Sequence, residues 1–382
     1  MFLVSYTKMF IIDLLFYCAA AIALLFWWCG WLSLYHIPRL PSVKTSILNK
    51  TTISIIVPVR NEQNRIMPLL ASIKKLQPKP KEVLFVDDAS EDHTVAIIKA
   101  AGFRVLCANK KPKNWQGKNW ACWIGAQNAT GEQLLFLDAD TTPKQHVLAS
   151  LLIAAQKHKG VISVQPFHRI KYLFEQHSLF FNLVVMAGID AFGFFSKKGT
   201  PTGCFGPCIF INKDIYFQTG GHKAIKTELV DDVSFAHLCR LHNIKVFNFG
   251  GKGMIEFRMY PEGMQSLVQG WLKNLSRASD QSSFPAVTFL ALWITGIFSC
   301  TALPAFLFFS FSAGNSAIAF ILYFMYVLQI LLQIKRIGNF SIFAAAGFPY
   351  FVVFFVIIFS RSVFLTKIKK QVHWKNRTIR FG

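Results

Sequence analysis

An α/β domain held between apolar helices is the fold class the sequence predicts, on three observations. Strand-like runs at Ile53 to Val59, Glu82 to Asp87 and Gln133 to Leu137 alternate with helix-like segments, which argues for a parallel sheet with right-handed crossovers. Long uncharged stretches lie towards both ends of the chain. The composition, 53% apolar with 39 Phe and only 16% charged residues, is far from that of an average soluble enzyme, so bilayer-spanning segments are expected.

The charge balance is read in that light. Lys and Arg number 41 against 19 acids, a net +22. Membrane spans place such an excess against anionic lipid on the cytoplasmic side, and no nucleic-acid motif is found, so no nucleic-acid partner is expected. Of eight cysteines, Cys18, Cys29 and Cys300 lie in apolar runs and none forms a C-x-x-C pair. They read as reduced, buried small hydrophobes and not as zinc ligands or a disulfide framework.

Met9 to Tyr35 is long and apolar, interrupted only by Asp13, and ends in bulky WWCGWLSLYHIP instead of a small-residue cleavage site. It predicts a retained transmembrane helix with Trp27, Trp28, Trp31 and Tyr35 near one interface, followed by a short linker at Pro38, Pro41 and Ser42. From Thr52 the pattern predicts strands at Ile53 to Val59, Glu82 to Asp87, Phe103 to Cys107 and Gln133 to Leu137. Helices are predicted over Pro68 to Leu76, Glu91 to Ala101 and Gly117 to Ala129. No G-x-G-x-x-G follows the first strand; Pro58-Val59-Arg60-Asn61-Glu62 does. Three apolar segments close the chain, at Pro285 to Phe311, Ser316 to Ile334 and Phe340 to Ser360. The expected units are therefore a membrane helix over 1–36, a catalytic domain over 50–250, an interfacial segment over 251–283, membrane helices over 284–362 and a basic tail over 363–382.

The stretch QLLFLDADTTP concentrates the chemistry. A buried strand runs into Asp138-Ala139-Asp140, at the sheet edge where open α/β folds bind ligands. Two carboxylates at that spacing suit a hard divalent ion carrying phosphates, although a solvated turn would use the same residues. Asp87 and Asp88 emerge at the same edge, either to meet a ligand or to close an Asx turn before Ser90. Gly117-Lys118 opens a helix, where free N–H groups and a lysine charge favour an anion. Asp231-Asp232 opens another, where acids also complement the helix dipole.

The series ISIIVPVRNE, VLFVDDASEDHT and WQGKNWACWIGAQNATGEQLLFLDADTTP resembles the nucleotide-sugar half of family-2 glycosyltransferases with the GT-A fold. Downstream, SVQPFH, FFNLVVMAGIDAF, CFGPCIFINKDIYFQTGGHK, FRMYPEGMQSLVQGWLKN and VHWKNR resemble the bacterial membrane enzymes that glycosylate carotenoid acids. The resemblance implies a Rossmann-like mixed sheet of the nucleotide-diphospho-sugar transferase kind, with transmembrane helices at both ends. It also implies an inverting transfer of one hexose from a UDP-sugar, UDP-glucose foremost, to a membrane lipid such as a carotenoid carboxylic acid. Diacylglycerol, a hopanoid or a polyprenyl phosphate are rival acceptors, and a non-catalytic scaffold or a transporter are readings of another class.

Roles follow from the same resemblance. Asp140 and Asp138 would hold Mg²⁺ or Mn²⁺, Asp232 would be the catalytic base, and Asp231 its neighbour where relatives carry Glu. Pro58, Arg60, Glu62, Asp87, Asp88, Gly117 and Lys118 would contact the donor, with Arg60 alternatively in a surface salt bridge. Gly221 and His222 would floor the sugar pocket, or His222 would be a packing residue. Gln269 and Trp271 stand where processive synthases carry Gln-x-x-Arg-Trp, and that motif's absence argues for a single transfer. Trp271 would stack on the substrate or anchor the interface. A carboxylate acceptor would already be ionised, leaving Asp232 only to orient it.

Leu173 to Phe195 is apolar but carries Glu175, His177, Asn182 and Asp190, so an interfacial amphipathic element near the acceptor entrance is expected. Nucleotide sugars are cytoplasmic, which places the catalytic domain inside a multi-pass protein of the cell membrane. Three full crossings after it would send the tail, with Arg361, Lys367, Lys369, Lys370, Lys375, Arg377 and Arg380, outside. The segment Phe340 to Ser360 is therefore expected to turn back at Gly347-Phe348-Pro349 as a re-entrant hairpin.

Overall fold

The computed structural model describes residues 2–42, 51–228, 231–275, 283–309, 312–368, 371–374 and 377–380. The α/β domain is built on a seven-stranded sheet of β1 (Ile53–Val59), β2 (Glu82–Asp87), β3 (Arg104–Cys107), β4 (Gln133–Leu137), β6 (Val161–Gln165), β8 (Cys208–Asn212) and β9 (Val246–Gly250). Its order is β3-β2-β1-β4-β8-β6-β9. A second sheet joins β5 (Thr141–Pro143), β10 (Ile255–Phe257) and β7 (Phe167–His168). Ile55, Ile56, Leu84, Phe85, Leu134 and Leu135 are fully buried because helices cover both faces, which is why these strands read as continuous apolar runs. The sheet is mixed and not purely parallel: β8 runs antiparallel to both β4 and β6. That reversal brings the loop before Cys208 to the carboxyl edge of β4, where Asp138 N donates to Pro207 O at 3.1 Å.

Helices α2 (Met67–Ile73), α3 (Thr94–Ala100) and α4 (Gly117–Asn128) connect the first strands. The last two fall inside the predicted segments, while α2 starts one residue before Pro68 and ends three short of Leu76. Then follow α5 (Val147–His158), a 3-10 turn at Leu173–Ser178, α6 (Leu179–Gly188), α7 (Lys213–Gln218), α8 (Gly221–Ala224), α9 (Asp231–Leu241) and α10 (Met264–Leu275). The element expected as an interfacial amphipathic helix is instead buried: Phe180, Phe181, Leu183 and Met186 of α6 are at most 1% exposed. Its polar residues are tolerated there because each is paired. Glu175 accepts from Arg258 Nε at 3.0 Å, Asn182 bonds His168 Nδ1 at 2.8 Å, and Asp190 accepts from Ser196 and Ser283.

Among the described residues, four helices are long and apolar enough to cross a membrane: the first, α1 (Phe2–Ser33), from Met9 on, then α11 (Phe284–Leu307), α12 (Ala313–Ile337) and α14 (Phe348–Lys367). A ladder on α12 ties it to α1. Tyr326 Oη donates to Ala23 O at 2.8 Å, Gln329 Nε2 to Trp27 O at 2.7 Å and Gln333 Nε2 to Gly30 O at 2.7 Å. The residues recur at i, i+3 and i+7, one face of the helix. Trp293 Nε1 of α11 donates to Gln329 Oε1 at 2.9 Å, and Gly30 leaves room for that indole, since a Cβ there would meet Trp293 Nε1 at 2.4 Å.

The last apolar segment breaks at Gly347, between α13 (Ile342–Ala346) and α14. Helix α14 runs on to Lys367 and does not stop at Ser360. At the start of the segment, Ser341 N donates to Gln176 Oε1 at 3.2 Å; near its end, Ser362 Oγ donates to Leu272 O at 2.9 Å. Between them, the Phe348 ring lies 5.0 Å from Tyr323 and 6.0 Å from Tyr326, midway along α12. One end of the segment thus meets the α/β domain at Gln176 and the other meets α10 at Leu272. The tail forms an antiparallel pair, β11 (Gln371–Trp374) with β12 (Arg377–Arg380). Leu229, Val230, Lys369, Lys370 and Lys375 lie outside the described residues.

Candidate active site

The carboxyl ends of β1, β2 and β4, the first turns of α4 and α9 and the loop before β8 converge on one cavity of about 650 Å³. Pro58, Arg60, Glu62, Asp88, Gly117, Lys118, Asp138, Asp140, Asp231 and Asp232 all line it, although they are scattered over 175 positions of the chain. Arg60 Nη1 donates to Asp88 O at 2.8 Å and stands 3.7 Å from Asp88 Oδ2, so it serves the wall and a salt bridge together. Gly117 is required beside Asp88: a Cβ there would fall 1.9 Å from Asp88 Oδ2. Burial raises the Asp88 carboxyl, opposed by Arg60.

Lys118 organises the acids. Its Nζ lies 2.9 Å from Asp138 Oδ1 and 3.1 Å from Asp231 Oδ2. Burial works against its charge, yet Asp138 and Asp231 outweigh it and hold the ammonium protonated. The four aspartates separate accordingly. Asp231 is burdened by burial but held low by Lys118. Asp138 is raised by burial against the pull of Lys118. Asp140 is pushed up to about 7 by burial and Asp138, and Asp232 to about 6 by burial and Asp231. Asp232 Oδ1 accepts Val233 N at 2.9 Å in the first turn of α9.

Several expected contacts fall elsewhere. Asp87 turns its carboxylate onto Ser90 N, both oxygens at 3.2 Å, and lies off the cavity wall as the Asx-turn reading required. Gly221 and His222 are behind the site. His222 is 1% exposed, pairs Nδ1 with Tyr216 Oη at 3.0 Å and packs 5.0 Å from Phe136, while Gly221 admits the Tyr216 ring. Gln269 is also off the wall. Trp271 borders the cavity at 2% exposure, with its ring stacked 4.8 Å from Phe181 and Nε1 bonded to Ser178 Oγ at 3.0 Å, so it packs α10 against α6.

Other residues reach the cavity without having been singled out: Arg65, Asn119, Glu228, Tyr260 and Lys273. Arg65 Nε bridges Glu62 and Glu262, each at 3.0 Å. The opposite charges three apart in NEQNR were a visible sign of the first pair. Tyr260, in a left-handed conformation at φ 52°, accepts from Asn274 Nδ2 at 2.9 Å, and nothing in the local sequence marks it.

Away from the acids the cavity becomes apolar. Val184, Val185, Gly188 and Ile189 of α6 and its end, Val287, Leu290, Ala291 and Ile294 of α11, and Phe355, Val356 and Phe359 of α14 continue the wall among the membrane-type helices.

Residues 54–218 match the family model described as glycosyl transferase family 2. The chain is 32% identical over 339 residues to the 4,4'-diaponeurosporenoate glycosyltransferase of Staphylococcus aureus strain USA300, covering 87% of this chain and 90% of that one. It is 31% identical over 338 residues to the protein of the same name in strain MRSA252, again covering 87% and 90%. In structure it is similar to a mannosyltransferase from Pyrobaculum calidifontis solved with GDP-Man and Mn²⁺, at a TM-score of 0.50 and 17% identity, covering 92% of this chain and 98% of that one. The fold is GT-A, and the chain belongs to the family-2 glycosyltransferases.

Proposed function

We propose that this glycosyltransferase moves one hexose, with inversion, from a UDP-sugar to the carboxylic acid of a membrane carotenoid, giving a glycosyl ester. UDP-glucose is the donor we favour. The observation that carries the reading is the continuity of one cavity from an acidic end at the sheet edge to an apolar limb between α6, α11 and α14. A nucleotide sugar suits the first and an amphipathic acceptor the second. The name of the Staphylococcus aureus relatives supports a carotenoid acid in that limb. In the reaction an acceptor oxygen forms the bond to C1 while the C1–O bond to the diphosphate breaks and UDP leaves with the electron pair. An ionised carboxylate needs no base, so Asp232 would orient it; an alcohol would pass its proton to Asp232.

Asp138 and Asp140 fit a divalent ion by the chemistry of their donors. Among the described residues no group of three His, Cys, Asp or Glu side chains could hold a metal alone. Two carboxylates completed by substrate phosphates are nevertheless the usual provision for Mg²⁺ or Mn²⁺. Asp140 is the principal ligand we assign, because Lys118 already engages an oxygen of Asp138. When bound, the ion would neutralise charge on the departing diphosphate. Arg60, Gly117 and Asp88 would hold the nucleotide, and Lys118 would keep Asp138 and Asp231 in register.

We further infer a multi-pass protein with the catalytic domain in the cytoplasm and the segment from Phe340 to Ser360 re-entrant, supported by the bonds that tie Ser341 to Gln176 and Ser362, just past its end, to Leu272 of α10. A reporter fused after Gly382 should then read cytoplasmic, and an external reading would refute the topology.

The functional test uses purified protein in lipid nanodiscs with UDP-glucose, Mg²⁺ and a C30 carotenoid acid. A glycosylated carotenoid with released UDP is the expected result. UDP release without a lipid product would overturn the acceptor, and no donor consumption with any UDP-sugar would favour a scaffold.

A further inference from the structure

We propose that Lys273 receives the anionic head group of the acceptor at the point where the apolar limb meets the acid cluster. This rests on the reading that a lipid acid enters that limb. The difficulty such an acceptor faces is electrostatic. Seven acidic side chains line the cavity against four basic ones, so an approaching anion meets a net negative wall. Arg60, Arg65 and Lys118 come from the donor side, the loop after β1 and the first turn of α4. Lys273 comes from α10, and α10 borders both halves of the cavity.

The neighbours of Lys273 define that border. Trp271 stacks on Phe181 of α6 at 4.8 Å, and Leu272 O accepts Ser362 Oγ of α14 at 2.9 Å, both elements of the apolar limb. One residue on, Asn274 Nδ2 donates to Tyr260 Oη at 2.9 Å, and Tyr260 lies close enough to Asp140 to feel its charge. Lys273 is half-buried between these contacts and lines the cavity, and its ammonium acts on Asp138 and Asp231. A carboxylate or phosphate led in by a lipid tail would, on this proposal, pair with this ammonium at the edge of the acid cluster. In a water-poor passage a charge-assisted pair of that kind selects an anion over the neutral head group of the same chain.

The test compares a polyene carboxylic acid, the alcohol of the same chain and its phosphate monoester, on wild type, Lys273→Ala and Lys273→Arg in nanodiscs. Affinity is read by tryptophan quenching and transfer by product formation. In Lys273→Ala the Kd and KM for the acid should rise at least about tenfold while those for the alcohol move less than about twofold, with Lys273→Arg recovering most of the loss. If the phosphate monoester binds wild type more tightly than the acid and shows the larger loss, the anion site is confirmed and its ligand is a lipid phosphate. Equal losses for acid and alcohol, or a rise in KM for the UDP-sugar as large as that for the acid, would overturn the assignment and move Lys273 to the donor. Quenching needs no turnover, so a wild type that binds the acid without glycosylating it would sink the functional reading while still deciding Lys273.

Discussion

Lys118 Nζ stands 2.9 Å from Asp138 Oδ1, and the same nitrogen lies 3.1 Å from Asp231 Oδ2. One ammonium at the start of α4 thus joins the acid after β4 to the acid opening α9.

Removing that link should be felt in catalysis more than in folding. Lys118→Ala is expected to lower kcat/KM by ~10²-fold or more, since two carboxylates lose their common counter-charge where charge must be placed accurately. Lys118→Arg should recover part of it. Steady-state kinetics with varied donor would check this, and a loss under threefold would remove Lys118 from the site.

Asp232 supplies a pH signature. Burial and Asp231 raise its carboxyl to about 6, so it holds its proton below that pH and becomes a base above it. With an alcohol acceptor kcat should fall as pH drops through about 6, and Asp232→Asn should abolish this limb along with most of the rate. With a carboxylic acid acceptor the limb should be weak. A pH profile on both acceptors distinguishes the two roles of the same side chain.

Metal removal is the third check. Chelation should stop transfer, Mg²⁺ or Mn²⁺ should restore it, and Asp140→Asn should need about tenfold or more metal for half-activation. A chelated enzyme with full activity would exclude the role given to Asp140.

Gly117→Ala should disturb the donor site from within. The added Cβ would fall 1.9 Å from Asp88 Oδ2, so the carboxylate must move. The expected result is a several-fold rise in donor KM and a loss of about 1–3 kcal/mol of stability, read by kinetics and thermal melting.

Glu175 and Arg258 give a prediction about assembly. Glu175 is 1% exposed, and its Oε1 accepts Arg258 Nη2 at 2.5 Å, while Oε2 accepts Lys171 N at 2.6 Å. Arg258→Ala should cost ~3–5 kcal/mol by leaving a buried carboxylate uncompensated, and Glu175→Gln with Arg258→Met together should cost less. Chemical denaturation of the detergent-solubilised variants measures both.

Much of this site was legible because local order dictates it. Buried strands announce themselves as apolar runs, and the residues just beyond them, Asp88, Asp138 and Asp140, must emerge at one edge whatever the tertiary detail. Asp87 shows the limit: one position earlier on the strand, its carboxylate closes a turn on Ser90. His222 stayed open between pocket floor and packing residue for a similar reason, since a sequence cannot say whether a polar ring near a site faces the ligand or, as here, Tyr216 behind it. The middle of Leu173 to Phe195 read as interfacial because the partners of its polar residues, Arg258, His168 and Ser283, lie outside the segment. Tyr260 and Lys273 were invisible because the apolar limb exists only once α10 has docked on α6 and α14.

The three side chains that α12 extends to carbonyls of α1 carry a practical implication. A shortened version lacking its first 33 residues would leave a phenol and two amides without these carbonyl acceptors, each searching for a substitute. The leading helix is therefore a staple of the whole bundle, and preparations meant for biochemistry should keep it.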